Sequence, residues 1–247
     1  MRALRVTSFK MPPALVDVGS TSPGAGEVLI KIAACGLNFA DLLMSKGTYQ
    51  DTPTPPFTLG MEVCGTVIAC GPGVTVPIIG DRVAVFGGQG GLADEGVFAA
   101  DRCLVLPDDM PPEVAAGFQV AYGTSHLALT RRAHLKAGET LVVLGAAGGV
   151  GLTAVEIGKT MGARVIAVAR GADKLEIARA AGADHLVDAS DDVKSALKAL
   201  GGADVVYDPV GGDLFKAAFG ATNKEGRILT IGFASGTVPQ IPANILL

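Results

Sequence analysis

The chain has 247 residues, of which 49% are hydrophobic and 18% charged, a composition that suits one large or two small folded domains and argues against disorder. The formal net charge is −4 and the sequence has no basic run, so nucleic acid is not expected as a partner. The four cysteines form no CxxC pair, which argues against a zinc ribbon, an iron–sulfur site or a thioredoxin-type motif and favours free thiols in a reducing cytoplasm.

The N-terminal sequence MRALRVTSFK has no apolar segment of signal-peptide length. The long uncharged stretches, residues 63–80 and 228–247, are interrupted by glycine and proline. We therefore predict no transmembrane segment and a cytoplasmic protein.

Up to about Pro111, short apolar runs rich in β-branched residues alternate with clusters of glycine and proline. The runs EVLIKIAACG, MEVCGTVIAC, DRVAVF and GVFAA are typical of strands. They predict a small antiparallel barrel or sandwich, interrupted by one helix from Asn38 to about Lys46.

That helix carries two polar side chains in the mostly apolar segment CGLNFADLL, residues 35–43. Asn38 and Asp41 are three residues apart, so they share one face of a helix. One interpretation is a helix start, with Asn38 as the N-cap and Asp41 as a first-turn carboxylate favoured by the helix dipole. A functional interpretation depends on the rest of the chain.

From Pro111 onward the sequence alternates helical and strand patterns. PPEVAAGFQVAYGTSHLALTRRA predicts a long helix with proline at its start. The elements predicted after it are strands at Leu141–Leu144, Arg164–Ala169, His185–Val187, Asp204–Tyr207 and Arg227–Ile231, and helices from about Gly149, at Asp173–Ala181, near Val193–Leu200 and near Leu214–Ala221. This alternation predicts a parallel doubly wound sheet and an α/β fold class.

The strongest motif is TLVVLGAAGGVGL, residues 140–152. An apolar strand run ends at Gly145, and Gly148, Gly149 and Gly151 open a helix. Glycine lets the backbone approach a pyrophosphate, and the helix N-terminus offers unpaired N–H groups and a positive dipole end. The motif predicts a dinucleotide site, with tight helix–sheet packing as the alternative role of these glycines.

The second strand of this unit ends in Arg170, and Lys174 follows one helical turn later. An NAD site usually has Asp or Glu at this point, bonded to the ribose hydroxyls. Two cations suit a 2′-phosphate instead, so we predict NADPH as the cofactor. The alternative is that both are ordinary surface charges and that Asp173 caps the next helix.

The order of these motifs resembles the medium-chain dehydrogenase/reductase superfamily over the whole chain. A β domain is followed by AYGTSHLAL in a helix, then by LGAAGGVGL, YDPVGGDLF and IGFASG. Within the superfamily the sequence is similar to the zinc-independent quinone oxidoreductase (zeta-crystallin-like) branch. The resemblance implies a GroES-like catalytic domain over residues 1–111, a Rossmann dinucleotide-binding domain over residues 112–247, and a homodimer.

The resemblance also bears on metal binding. In the zinc alcohol dehydrogenases of this superfamily three side chains hold the catalytic zinc, and the matching positions here are Asn38, Met61 and, nearby, Val120. A thioether and a valine cannot replace Cys, His or carboxylate donors. The four-cysteine lobe that holds structural zinc is missing as well. The resemblance therefore implies a site without metal.

For the pocket beside the nicotinamide the resemblance implies Asn38, Asp41 and Tyr49. Asn38 would donate to a substrate carbonyl, and Tyr49 would give a proton or hydrogen bond to the developing oxyanion. Asp41 would orient its neighbours rather than transfer protons. Tyr49 lies in a proline-rich loop, so packing is its alternative role.

Cofactor contacts are implied along the second domain. They are Gly148, Gly149 and Val150 at the pyrophosphate; Arg170 and Lys174 near the adenosine phosphate; Thr124, Val210 and Phe233 near the nicotinamide; and Gly145, Ala147 and Gly151 in the glycine loop itself.

Three functions fit these residues. The leading one is NADPH-dependent transfer of hydride to a quinone. The second is reduction of an enone or enoyl-thioester at the same site, and the third is NADPH binding without catalysis. In the resembled family the final segment, IPANILL, leads into a further strand and back into the first domain, so we expect a fragment of a longer protein; the alternative is a variant with an open sheet edge.

Overall fold

The computed structural model describes residues 1–241 and Asn244. The chain divides into two compact units, Met1–Val120 and Ala121–Leu247. Each unit is described by itself below.

The first unit consists mainly of strands. Its elements are β1 (Arg2–Val6), β2 (Ala14–Asp17), β3 (Glu27–Gly36), α1 (Phe39–Ser45), β4 (Phe57–Thr58), β5 (Glu62–Cys70), β6 (Arg82–Phe86), β7 (Glu95–Ala99), a 3₁₀ turn (Ala100–Arg102), β8 (Cys103–Val105) and the first part of α2 (Pro112–His126). The strands form two antiparallel sheets, ordered β2-β1-β4 and β7-β3-β5-β6-β8. This confirms the predicted antiparallel β domain.

Two apolar clusters fill the first unit. One lies on the larger sheet and includes Ile30, Val63 and Phe98. The other packs α1 against the smaller sheet and includes Met44 and Phe57. Helix α1 is therefore fixed by its buried face, which also fixes the polar residues at its start.

The second unit alternates strands and helices as predicted. After π-helical turns at Leu127–Arg132 its elements are β9 (Thr140–Leu144), α3 (Gly149–Thr160), β10 (Arg164–Ala169), α4 (Ala172–Ala180), β11 (His185–Asp188), α5 (Val193–Ala199), β12 (Ala203–Asp208), α6 (Gly212–Phe219) and β13 (Thr222–Thr230). The sheet is parallel, in the order β11-β10-β9-β12-β13. The doubly wound prediction is confirmed.

Both faces of this sheet are buried. Along β9, Leu141 and Val143 point into a cluster with α3, while Val142 and Leu144 point into a cluster with α5 and α6. Strand order reverses between β9 and β12, so the loops after these two strands lead away in opposite directions. In parallel sheets such a switch point at the carboxyl edge is where ligands bind.

The predicted long helix changes its winding near its end. The hydroxyl of Thr130 donates to the carbonyl of His126 at 2.6 Å, and the N–H of Ala133 donates to Ala128, five residues back, at 2.8 Å. A side chain that occupies a carbonyl four residues back competes with the regular helix ladder. The helix therefore ends in π-helical turns.

The final segment of the sequence, IPANILL, lies outside the described residues except for Ile241 and Asn244. Within the described part of the chain, no helix is both long and apolar enough to cross a membrane.

Candidate functional site

The glycine loop directly follows the central strand β9. Gly145 has φ +61°, a backbone conformation that favours glycine, and its carbonyl accepts the N–H of Gly148 at 2.9 Å. A Cβ built on Gly151 would overlap the carbonyl oxygen of Gly145. The turn is therefore tight enough to require glycine at both ends.

The start of α3 is open. Gly148 is the N-cap, both it and Gly149 are exposed, and a Cβ on Gly149 would have no atom within 4 Å. Ala147 and Val150 are half-buried beside them. An exposed helix N-terminus with unpaired N–H groups and room above it can hold an anionic group.

The loop after β12 meets the glycine loop, and the loop after β13 meets the loop after β12. A Cβ on Gly145 would lie 2.9 Å from Cγ2 of Val210, and one on Gly211 would lie 3.3 Å from Cδ1 of Phe233. The N–H of Ser235 donates to the carbonyl of Val210 at 2.9 Å. The structure thus brings Gly145, Val210 and Phe233 together at the carboxyl edge of the sheet.

Asp208, which the sequence reasoning missed, holds these loops. It is fully buried at the end of β12, and its Oδ1 accepts the N–H groups of Val210 and Gly211 at 2.8 and 2.9 Å. Its Oδ2 has no hydrogen-bond partner among the described residues. Burial raises the pKa of this carboxyl above its usual range, although the two N–H groups oppose that shift. The sequence signal was an Asp ahead of Pro-x-Gly-Gly, a pattern typical of side chains that bond their own turn.

Ser125 was also missed. Its side chain is fully buried, and Oγ lies 2.9 Å from the carbonyl of Val150, 2.8 Å from Oγ1 of Thr153 and 2.8 Å from the hydroxyl of Tyr207. Its neighbour in α2, Thr124, is half-buried. In the sequence, Ser125 is the residue after the predicted cofactor contact Thr124, and no motif marks Ser125 itself as functional.

Arg170 and Lys174 are exposed at the carboxyl end of β10 and in the first turn of α4. The alternative role for Asp173 is wrong, because Gly171 is the N-cap and Asp173 lies inside the first turn. Asp188 accepts the N–H of Gly171 at 3.1 Å. Its pKa is held below the usual range mainly by the N–H and hydroxyl of Ser190, with a smaller contribution from the charge of Arg170.

In the first unit, Asn38 and Asp41 occupy the start of α1 as the helix-start interpretation predicts. Asn38 is the N-cap, and its N–H donates to Oδ2 of Asp41 at 2.9 Å. The side-chain amide of Asn38 instead donates to Oε1 of Glu62 at 3.0 Å. Glu62, which the sequence reasoning did not select, is almost fully buried, and its Oε2 accepts the N–H of Val120 at 2.9 Å.

Asp41 is buried between α1 and the turn before β5. Its Oδ1 accepts the N–H of Gly60 at 3.0 Å, and burial raises its pKa against the effect of its two N–H donors. A Cβ on Gly36 would lie 2.5 Å from Oε1 of Glu62 and 2.5 Å from the carbonyl of Ala116. Gly36 therefore leaves the space in which the Glu62 carboxylate lies.

Tyr49 does not belong to this hydrogen-bond network. It packs, half-buried, against the apolar cluster that contains Met44 and Met61. Burial raises its pKa, with a smaller contribution from Asp51. Met61 is itself buried in that cluster.

The donor geometry bears on metal binding. Among the described residues, no group of three or more His, Cys, Asp or Glu side chains is arranged to hold a metal ion. At the three positions that match the zinc ligands, Asn38 bonds Glu62, Met61 is packed among apolar side chains, and Val120 offers only its backbone.

Comparison with known families also places a GroES-like domain first and a dehydrogenase domain second. A family model described as alcohol dehydrogenase GroES-like domain matches residues 24–108, and one described as zinc-binding dehydrogenase matches residues 149–247. The quinone oxidoreductase-like protein 2 homolog of Nematostella vectensis is 38% identical over 253 residues, which cover 100% of this chain and 69% of that protein.

Two solved structures are similar over nearly the whole chain. The quinone oxidoreductase of Thermus thermophilus, solved also as its NADPH complex, is 36% identical with a TM-score of 0.84, covering 97% of this chain and 75% of that one. The Escherichia coli quinone oxidoreductase complexed with NADPH is 28% identical with a TM-score of 0.91, covering 100% of this chain and 77% of that one. The chain is thus shorter than both structures.

Proposed function

The chain belongs to the medium-chain dehydrogenase/reductase superfamily, in its zinc-independent quinone oxidoreductase branch, and on that premise we propose that it is an NADPH-dependent reductase that transfers hydride to a quinone. The observation that carries the proposal is the open N-terminus of α3, which follows a tight turn that requires glycine at Gly145 and Gly151. The relative named above is called quinone oxidoreductase-like, and the two structures are quinone oxidoreductases solved with NADPH.

The residues of the second unit fit a dinucleotide. A pyrophosphate requires close backbone approach, for which the open space at Gly149 leaves room, and free N–H groups, which the first turn of α3 supplies. Gly148, Gly149 and Val150 would hold the pyrophosphate. Asp208 supports this site, because its carboxylate fixes the neighbouring loop that carries Val210.

The choice of NADPH over NADH rests on Arg170 and Lys174. Both are exposed near the end of β10, where an NAD site would have a carboxylate for the ribose. Guanidinium and ammonium groups would instead bond a 2′-phosphate.

The acceptor side would be formed by Asn38, Asp41 and Tyr49. When bound, the reduced nicotinamide supplies a hydride, and uptake of that hydride with a proton converts a quinone to its hydroquinone. A tyrosine is protonated at neutral pH and burial raises the pKa of Tyr49 further, so its hydroxyl would donate to the oxygen that gains charge. The Asn38 amide has two hydrogens; one bonds Glu62, and the other would bond the substrate carbonyl.

Asp41 would act as an orienting group. Both of its oxygens accept backbone N–H groups, from Asn38 and Gly60. A carboxylate engaged in this way fixes the start of α1 and is poorly placed to exchange protons with a substrate. No metal is needed in this scheme, because Tyr49 and Asn38 would supply the polarising hydrogen bonds.

The test is consumption of NADPH and NADH with a small para-quinone, in the presence of a metal chelator. We expect turnover with a preference for NADPH and no effect of the chelator. NADPH binding without turnover of the quinone would lead to a panel of enones and enoyl-thioesters, and inactivity on that panel would favour a non-catalytic NADPH-binding protein. The cytoplasmic location and the homodimer remain predictions of the sequence.

A further inference from the structure

We infer that Ser125 is a positioning residue that sets the spacing between the pyrophosphate end and the nicotinamide end of the cofactor site. The inference rests on the proposed function. Ser125 lies in α2, yet its hydroxyl contacts α3 through Val150 and Thr153 and strand β12 through Tyr207. One side chain therefore joins three elements.

The hydrogen bonds of this cluster have a direction. The carbonyl of Val150 can only accept, so the Ser125 hydroxyl donates to it at 2.9 Å. With that proton engaged, the Ser125 oxygen accepts from the Tyr207 hydroxyl at 2.8 Å. Thr153 can donate to the carbonyl of Ala121 or to that of Val150, each at 3.1 Å. The resulting chain runs from Tyr207 through Ser125 to Val150.

Each end of this chain lies beside a proposed cofactor contact. Val150 belongs to the first turn of α3, at the pyrophosphate. Thr124, proposed to lie beside the nicotinamide, is the residue before Ser125. Tyr207 precedes Asp208, whose carboxylate holds the loop of Val210. A shift of Ser125 would therefore change the distances between these contacts.

A purely packing role does not require the three hydroxyls. Ser125 and Tyr207 are fully buried, and Tyr207 belongs to the apolar cluster of the sheet and α3 that includes Val143 and Ala154. An alanine and a phenylalanine would fill almost the same space without a directional bond. Hydrogen bonds in such a dry environment are strong and fix geometry, which is the property that a spacing element needs.

The experiment compares two ligands on the full chain. NADPH spans the whole proposed site, whereas 2′,5′-ADP carries only the adenosine half with its phosphates. Ser125→Ala is expected to weaken NADPH binding about tenfold while leaving 2′,5′-ADP binding within about twofold. NADPH fluorescence gives the first affinity, and displacement calorimetry gives the second. In quinone turnover, kcat is expected to fall more than the KM for the quinone rises.

Tyr122→Phe is the matched control. Tyr122 also lies on α2 and its hydroxyl donates to Glu156 on α3, but that bond lies away from the first turn. The Tyr122→Phe variant removes one tyrosine hydroxyl that joins the same two helices, α2 and α3. We expect it to leave the ratio of the NADPH affinity to the 2′,5′-ADP affinity unchanged. If Ser125→Ala does not fold, the double variant Ser125→Ala/Tyr207→Phe, which leaves no unpaired tyrosine hydroxyl, carries the same test.

Equal loss of both affinities in Ser125→Ala, or no loss of either, would overturn the inference while the proposed function stands. Failure of the unsubstituted chain to bind NADPH would overturn the proposed function and the inference with it. A loss confined to NADPH, absent in Tyr122→Phe, would support the positioning role.

Discussion

The side-chain amide of Asn38 donates to Oε1 of Glu62 at 3.0 Å, and the other oxygen of Glu62 accepts the N–H of Val120 at 2.9 Å. Both carboxyl oxygens of Glu62 thus act as acceptors of N–H groups. Glu62 therefore fixes the orientation of the Asn38 side chain, with its NH2 end toward the carboxyl group. This relationship makes Glu62 the residue that orients the proposed acceptor contact.

Replacing Glu62 by glutamine tests that orientation. The variant offers one acceptor oxygen in place of two, so either Asn38 or Val120 loses its partner. We expect Glu62→Gln to lower the free energy of unfolding by about 1–3 kcal/mol, measured by urea denaturation. Glu113→Gln, at an exposed position of α2, is the control and should change stability by less than about 0.5 kcal/mol. Equal stability of both variants would contradict the role of Glu62.

Asp208→Asn is expected to change the pH dependence of stability. Burial raises the pKa of Asp208 in the folded state, so the unfolded chain loses this proton first as pH rises above about 3.9. The wild type therefore loses stability from that pH up to the folded-state pKa, and the asparagine variant lacks this loss. The stability of Asp208→Asn relative to wild type should increase with pH, as measured by Tm between about pH 4 and pH 8.

Asp213→Asn provides the comparison for that pH series. Asp213 is exposed in the first turn of α6 and pairs with Lys216 at 2.9 Å. Because Asp213 is not buried, Asp213→Asn reports any general effect of replacing an aspartate by asparagine, and that effect is subtracted. If no pH dependence remained for Asp208→Asn after this subtraction, burial would not raise the pKa of its carboxyl in the folded protein.

Gly151→Ala is expected to disrupt the pyrophosphate loop. The new Cβ would overlap the carbonyl oxygen of Gly145, so the turn after β9 must move. We expect a loss of stability of about 1–3 kcal/mol and at least about a tenfold rise in the Kd for NADPH. Gly117→Ala, where a Cβ meets nothing within 4 Å in α2, should be about 0.5–1 kcal/mol more stable than wild type. Unchanged NADPH affinity in Gly151→Ala would count against the loop as the pyrophosphate site.

The double variant Arg170→Ala/Lys174→Ala is expected to reduce the preference for NADPH. Each charged hydrogen bond to the 2′-phosphate contributes about 1.5–3 kcal/mol, so kcat/KM for NADPH should fall more than tenfold while that for NADH changes little. Arg179, on the same helix, pairs with Glu176. Its replacement by alanine removes a cation and should leave the ratio of kcat/KM for NADPH to kcat/KM for NADH unchanged. An unchanged ratio in the double variant would show that these cations are ordinary surface charges.

The strands of the sheets could be predicted from the sequence, because the residue patterns that produce them are local in the chain. Strand β9 is buried on both faces, so its residues form an uninterrupted apolar run, and the glycines that follow mark the turn into α3. The start of α1 was likewise predicted from Asn38 and Asp41, which are three residues apart. Local sequence patterns carry this kind of information directly.

The partners of the site were not predictable in the same way. The bond between Asn38 and Glu62 joins residues 24 apart in the chain, and that between Ser125 and Tyr207 joins residues 82 apart. No local pattern encodes such pairings, because they depend on how the sheets pack. The π-helical turns after α2 were missed for a different reason, since Thr130 is a common helix residue whose effect depends on its rotamer.

The proposed contacts to the cofactor all lie in the unit Ala121–Leu247, and the proposed contacts to the acceptor all lie in the unit Met1–Val120. Under the proposed assignment, exchange of residues 1–120 with those of a relative would change the acceptor contacts and keep every proposed cofactor contact. The exchange must include residues 112–120, because the N–H of Val120 donates to Glu62 and the carbonyl of Ala116 lies against Gly36. Acceptor specificity and cofactor specificity would then be separable by exchanging one unit.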